Sequence, residues 1–394
     1  MSDILEKSKE INEWIVELRR DFHKHPEESL KEFRTAQIIE EELTKMGIKV
    51  ERLGDTGVVG ILEGKSKGKV IALRADIDAL SVTEKTNLPF SSQTPGMMHA
   101  CGHDCHASML LGAAKVLSQI KNEFNGTVKF IFQPAEELAL GAKMMIKNGA
   151  LKNPDVDFIF GMHIWSDVPL KKAIVQEGAL MAGADVWELE IKGKSAHGSS
   201  PWQGTDAIVC AASVIQGLQT LVSRKNDARS PAVINIGTIN GGDRFNVIPG
   251  SVKMDGMNRT FSLESRKNLP IWMEKMIKST CEAYDCEYEF NYYEKTAIVI
   301  NDEKGTKLVK DSVTKLMGED TFIPSEKIMG SEDFSEYLEE VPGAFILLGG
   351  RNEENGCCYS HHSNFFNVDE EALPIGSATY AQVALDYLKN GLSI

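Results

Sequence analysis

No apolar run in the 394-residue chain approaches the ~20 residues that a membrane-spanning helix needs. The opening Met1-Ser-Asp-Ile-Leu-Glu-Lys-Ser-Lys-Glu has no basic start followed by an apolar core, so it does not read as a secretory signal. A membrane partner is therefore not expected, and a cytoplasmic location is. Positive charge is also short. Lys and Arg number 43 against 57 Asp and Glu, a net charge of −14. This argues against a nucleic-acid partner, whose phosphates call for a basic face. Seven cysteines cannot form a fully paired framework, and without an export signal they read as reduced thiols. Cys357 and Cys358 are adjacent, which would strain a disulfide between them. Internal repeats and low-complexity tracts are missing. An ordinary composition remains, 42% apolar and 25% charged, at a length that suggests two domains or one large domain with an insertion.

Against this background one stretch is dense in chemistry. Met98-His-Ala-Cys-Gly-His-Asp-Cys-His places Cys101, His103, Asp104, Cys105 and His106 within a few positions, with His99 just ahead. Imidazole and thiolate are the nitrogen and soft ligands of transition metals. Gly102 allows backbone dihedrals that larger residues resist, so Cys101 and His103 can reach a shared metal from one loop. Apolar residues at helical spacing follow from Ser108, which predicts a loop feeding a helix N-terminus. A buried loop that happens to contain His and Cys is the competing account, but metal-ligand spacing explains the density better.

Strand ends carry the other candidates. Val70-Ile-Ala-Leu-Arg runs into Asp76 and Asp78, where an α/β sheet places its sites. A solvated turn accounts for them about as well; their position just upstream of the dense loop favours a carboxylate that orients a ligand His. Val128-Lys-Phe-Ile-Phe-Gln-Pro-Ala ends in Glu136-Glu137. Such a pair can divide its labour, one acid binding metal and the other taking a proton from an activated water. Alone the pair is weak evidence, because adjacent acids are common. Phe158-Ile-Phe-Gly-Met-His163 repeats the device. His23 and His25, near a helix end before Pro26, read as structural.

The texture changes near residue 182. Val186-Trp-Glu-Leu-Glu-Ile-Lys alternates with period two, as an antiparallel strand with one wet face does. The order strand–helix–strand–strand–helix–strand resembles a ferredoxin-like α+β module interrupting α/β text. The expected fold is α/β, with a mixed, mostly parallel sheet flanked by helices. Residues 1–181 and 295–394 form the metal-binding domain and 182–294 an inserted lid or dimerisation domain.

Five segments match one family in order: Arg74-Ala-Asp-Ile-Asp-Ala-Leu, His99-Ala-Cys-Gly-His-Asp, Gln133-Pro-Ala-Glu-Glu, Gly161-Met-His, and His362-Ser with Asp369-Glu370. Together they resemble the amidohydrolase branch of the aminoacylase/carboxypeptidase metallopeptidases, nearly end to end. The resemblance implies two divalent metal ions, Mn2+ or Zn2+ first and Co2+ or Ni2+ next. It implies Cys101, His103, Glu137, His163 and His362 as ligands and Glu136 as general base. His197 corresponds to a family histidine that stabilises the oxyanion, in some members from a neighbouring subunit. Asn246 and Arg259 fall where relatives bind the substrate carboxylate. Two departures stand out. Asp76 occupies the place of a ligand His in related two-metal members, so Asp76 and Asp78 stay outside the ligand set. Trp202 follows Pro201 where close relatives often have His. It can line the acyl pocket or merely pack the lid. The expected reaction is hydrolysis of an N-acyl amino acid, N-acetyl, benzoyl or aryl-acetyl, by a homodimer or homotetramer joined through the lid. A carboxypeptidase or dipeptidase on the same scaffold is the nearest alternative, and a metal-binding protein without turnover a more distant one.

Overall fold

A computed structural model describes residues 4–324 and 326–392. The chain divides into two compact units. The first comprises 1–178, 300–326 and 333–394, and the second 179–299 with the short excursion 327–332. The pattern change near 182 and the return near 295 lie three to five residues inside these limits. The excursion has no periodic signal of its own.

The first unit is built on a seven-stranded sheet in the order Lys49–Leu53, Gly57–Glu63, Thr127–Gln133, Val70–Asp76, Phe158–Pro169, Gly343–Arg351, Ala173–Ile174. The four central strands are parallel and the outer ones antiparallel. Central parallel strands are covered on both faces, so they read as continuous apolar runs; every residue of Val70–Asp76 is buried. Helices His103–Gln119 and Ala372–Asn390 pack together in the core, each apolar nearly all round. Parallel registry decides where chemistry can gather. Asp76 pairs with Gln133, and Arg74 pairs with Gly161, two residues before His163. Asp76, Gln133 and His163 therefore stand at one level, and the residues beyond them emerge at one edge.

The second unit is the expected antiparallel βαββαβ module. Its sheet runs Ala232–Gly241, Ser251–Thr260, Gly183–Lys192, Glu287–Thr296. Helices Ala207–Thr220 and Leu263–Ala283 cover one face, over a core that includes Trp187, Leu189, Ile191, Val214, Leu269 and Met273. Among the described residues one helix, 207–225, is long and apolar enough by composition to cross a bilayer, a point the reading of apolar runs missed. One of its faces fills this core through Cys210, Ala211, Val214 and Leu218, while Ile208 and Val209 are exposed.

In the first unit, helix Asn12–Lys24 pins the start of helix His103–Gln119. Arg19, fully buried, donates from Nε to Asp104 Oδ2 (2.9 Å), from Nη1 to Glu370 (3.1 Å) and from Nη2 to Asn367 (3.1 Å). His23 Nδ1 lies 2.8 Å from the same Asp104 oxygen. Burial opposes the charge on Asp104, but Arg19 and His23 outweigh it and hold the carboxyl well below its usual range. The sign follows. This stabilisation is complete above the unfolded carboxyl's pKa of ~3.9 and is lost as pH falls through the depressed folded value. Arg19→Leu, which strands a buried carboxylate, is expected to cost about 3–5 kcal/mol at pH 7. The gap to the parent protein in urea unfolding should narrow below about pH 4; an equal gap at both pH values would contradict the assignment.

Candidate metal centre and active site

The dense stretch is divided by the helix start. The helix begins at His103, five residues earlier than the apolar periodicity suggests, so of the expected ligands Cys101 belongs to the loop and His103 to the helix. Gly102, at φ +91°, makes the bend, and a Cβ there would stand 2.6 Å from Ile164 Cγ2. A larger residue is excluded on both counts. The first helical turn then fans its side chains. His103 faces the strand ends, Asp104 turns back to Arg19, Cys105 is buried, and His106 meets Asp76. His99 is buried, and neither of its ring nitrogens has a hydrogen-bond partner among the described residues.

The five expected ligands converge in the first unit. One donor atom each from Cys101, His103 and His163 lie within 4.8 Å of one another, as do those of Cys101, Glu137 and His362. The two groups share the Cys101 sulfur. Cys101 Sγ is 3.4 Å from His163 Nε2, and Glu137 Oε1 is 3.9 Å from His103 Nε2 and 3.5 Å from His362 Nε2. Glu136 joins a third group with His103 and Glu137. His362 sits at φ +63°, a conformation that a non-glycine residue keeps only when its surroundings impose it. Here its N–H is tied to the Ala100 carbonyl at 2.8 Å.

Hydrogen bonds behind the ligands fix which atoms they present. His103 Nδ1 donates to the Asp78 carbonyl (2.9 Å) and His163 Nδ1 to the Ile164 carbonyl (2.6 Å), so both offer Nε2 lone pairs. His106 is spent. Its Nε2 accepts from the Ile164 N–H (2.8 Å), so its Nδ1 donates to Asp76 (2.5 Å). Asp76 in turn takes Arg74 Nη1 at 2.6 Å, and one of its oxygens also lies within 4.8 Å of nitrogens of both His103 and His106. His361 Nε2 accepts from the Ser166 N–H (3.2 Å), which points its Nδ1–H at Cys101 Sγ, 3.8 Å away. Sequence reading counted His106 in the dense stretch without giving it a role of its own, and gave His361, whose neighbour absorbed the signal, none.

Asp78 does more than orient a histidine. Its carboxylate accepts the N–H groups of Glu136 and Glu137, both at 3.1 Å, and the Ser29 hydroxyl at 2.6 Å. Glu136 Oε1 receives the Asp333 N–H at 3.4 Å. The Asp333 carboxylate collects Arg74, Gln133 and the Ala142 N–H; burial pushes it up to about 6 despite Arg74.

The donor set suits a cation. His103 Nε2 and Glu137 Oε1 are buried polar atoms with no hydrogen-bond partner among the described residues. Such atoms are costly unless something satisfies them. Thiolate, imidazole and carboxylate together match divalent transition metals. Electrostatics agree: Cys101 and then Glu137 push His362 up to about 10, as an anionic pocket does.

The remaining predicted residues belong to the second unit. His197 is exposed on Ala196–His197, opposite Val247 of Val247–Ile248, and the Gly198 N–H bonds the Asn246 carbonyl at 2.8 Å. Ser199 donates its N–H to His197 Nδ1 (3.1 Å), which leaves Nε2–H as a donor. Arg259 is not beside them. It stands near the far end of Ser251–Thr260, opposite Ala184. Arg259 Nη1 and Asn246 Oδ1 are buried without hydrogen-bond partners among the described residues. Trp202 is 77% exposed, on the same loop as His197.

Comparison with known proteins agrees with this geometry. The model of Peptidase family M20/M25/M40 matches residues 72–386. The IAA-amino acid hydrolase ILR1-like 2 of Arabidopsis thaliana is 40% identical, over 98% of this chain and 88% of its own. Thermostable carboxypeptidase 1 of Saccharolobus solfataricus is 38% identical, over 98% and 99%. The Bacillus subtilis YxeP structure, described as a dinuclear metal-binding peptidase of the M20 family, superimposes with a TM-score of 0.86 at 36% identity, over 97% and 99%. With donors gathered at the parallel strand ends and a match across most of its length, the chain belongs to the M20/M25/M40 peptidase family.

Proposed function

We propose that this M20 metallohydrolase is a dinuclear amidohydrolase that removes the acyl group from N-acyl amino acids. The observation that carries the reading is Glu136, a sixth donor within 4.8 Å of His103 and Glu137 in a set that already holds five. A protein that only stores metal needs Glu137 but not a second acid beside it. N-acetyl, benzoyl and aryl-acetyl conjugates are the candidate substrates, in keeping with the name of the Arabidopsis relative.

Cys101, His103, Glu137, His163 and His362 would hold two divalent cations, Mn2+ or Zn2+ before Co2+ or Ni2+. Bound there, such ions lower the pKa of a water towards ~7 and polarise an amide carbonyl. Glu136 takes the proton of the attacking water and returns it to the leaving amine. The Asp333 N–H on its Oε1 keeps the carboxylate aimed. His197 offers Nε2–H to the oxygen that becomes negative. Arg259 and Asn246, with their unpartnered buried atoms, address the carboxylate of the amino acid. A carboxypeptidase reading shares every one of these roles and has the Saccharolobus relative in its favour; it differs in the group on the amine.

The second unit also supports assembly. His197 pairs with Val247, four residues before Ser251, and Arg259 lies eight residue steps beyond Ser251, roughly 26 Å along the strand at ~3.3 Å each. In an N-acyl amino acid the carbonyl and carboxylate are only a few bonds apart. One substrate reaches both residues only if they come from two copies of the chain. The exposed Ile208 and Val209 and the edge strand Ala232–Gly241 offer a surface for that second copy.

Three outcomes are expected. Glu136→Gln should retain metal yet lose turnover by several orders of magnitude on a panel of N-acetyl-, benzoyl- and indole-acetyl-amino acids and dipeptides. Retained activity removes the proton path, and activity on dipeptides alone selects the peptidase reading. Second, His362 is raised to about 10, so it is protonated at pH 7, whereas a ligand must be neutral. Zinc affinity in chelator competition should therefore rise at least about tenfold per pH unit between pH 6 and 9, and a flat profile would contradict it. Third, mixing inactive Glu136→Gln and His197→Ala chains should restore part of the activity through hybrid assemblies. A mixture as inactive as its components would place His197 in its own chain's site.

A further inference from the structure

The turn that carries Glu136 and Glu137 is held from behind by a residue remote in sequence. Ala135 and Ala139 both sit at φ +54°, so the segment adopts a backbone conformation that alanine does not choose unaided. Three consecutive N–H groups, those of Ala135, Glu136 and Glu137, enter two buried carboxylates. Asp78 takes the second and third, as described above. Glu32 takes the first: its Oε1 accepts from Ala135 N at 2.9 Å and from Leu30 N at 2.9 Å, and its Oε2 from the Thr56 hydroxyl at 2.8 Å. Glu32 is 0% exposed.

Helix architecture does not explain this carboxylate. Glu32 precedes helix Phe33–Lys45 at the capping position, yet its side chain makes no capping bond. Glu27 does that work, accepting from Arg34 N (3.0 Å) and Thr35 N (2.8 Å). Glu32 instead turns away from its own helix, towards the turn after strand Thr127–Gln133. Burying an ionisable group is unfavourable unless its bonds compensate. Burial, with Asp78 nearby, pushes Glu32 up to about 6. A glutamate that opposes its own burial and leaves the capping of its own helix to Glu27 has its use at the other end of its bonds.

We propose that Glu32 is a positioning residue for the catalytic turn. By holding the Ala135 N–H it maintains the left-handed bend that sends Glu136 towards the Asp333 N–H and Glu137 towards His103 and His362. The proposal rests on the roles assigned above to Glu136 and Glu137. It adds a residue from the N-terminal segment, outside the matched region 72–386, to the machinery of the site.

The test uses the full chain and zinc alone, so that one readout is independent of turnover. Glu32→Ala should weaken zinc binding, by chelator competition, by about ten- to a hundredfold, the range for groups that orient ligands from behind. It should also lower kcat about tenfold or more with KM changed less than about twofold, since Glu32 touches no substrate. Glu32→Gln keeps an amide oxygen for the Ala135 N–H and should recover zinc affinity to within about threefold of the parent. Parent-like zinc affinity and kcat in Glu32→Ala overturn the proposal. Should Glu32→Ala fail to fold, Glu32→Gln carries the test: parent-like unfolding with zinc affinity lost thirtyfold or more also overturns it. If Glu136→Gln remains active, the assigned chemistry fails; the zinc measurements on Glu32 variants read the turn independently of that result.

Discussion

The carboxylate and carbonyl of Asp78 are the point on which the candidate metal centre depends. A buried anion in a protein interior must be surrounded by donors. Asp78 meets that requirement with the N–H groups of Glu136 and Glu137 and, through its own carbonyl, His103 Nδ1, all from the candidate site, and with the Ser29 hydroxyl from the N-terminal segment. The end of strand Val70–Asp76 is thereby joined to the turn after strand Thr127–Gln133 and to the first turn of helix His103–Gln119. Parallel registry brings these pieces to one level, and Asp78 turns nearness into fixed geometry. Low dielectric strengthens each bond and makes each loss costly, so the arrangement is rigid for the same reason that it is expensive to disturb.

Around this point the interior balances its charges locally. Arg74 lies between Asp76 and Asp333, and Arg19 lies against Asp104 and Glu370. Both guanidiniums are buried, and each spreads several donors over partners from distant parts of the chain. They offset the charge of buried carboxylates that stand around the site. The candidate donors bring Cys101 and Glu137 together with histidines, and burial pushes the Cys101 thiol up while its neighbours push His362 up as well.

Much of this was legible in the amino-acid sequence because strand ends announce themselves. An apolar run closing in Asp, Glu or His placed Asp76, Glu136, Glu137 and His163, and the Cys-Gly-His spacing placed Cys101 and His103. The antiparallel module was readable from the period-two alternation after residue 183 and the helices between its strands. What escaped notice did so for physical reasons. His106 and His361 share the composition of the candidate ligands, and the backbone N–H that each accepts is visible only in the structure. Glu32 and Asp333 lie far along the chain from the turn they support, and no local pattern links them. The helix start was misplaced because His103 to His106, polar in text, are buried. The separation of Arg259 from His197 follows from strand register, which spacing along the chain does not reveal.

The donors come from residues 101 to 362, and none of the groups is a short local chelate. An unfolded chain keeps only the local cluster at 99–106 and the Glu136-Glu137 pair; His163 and His362 join them on folding. Asp78, Arg74 and Arg19 build the cradle behind those donors from bonds among protein atoms alone, so the frame is tied together by contacts other than the donors themselves.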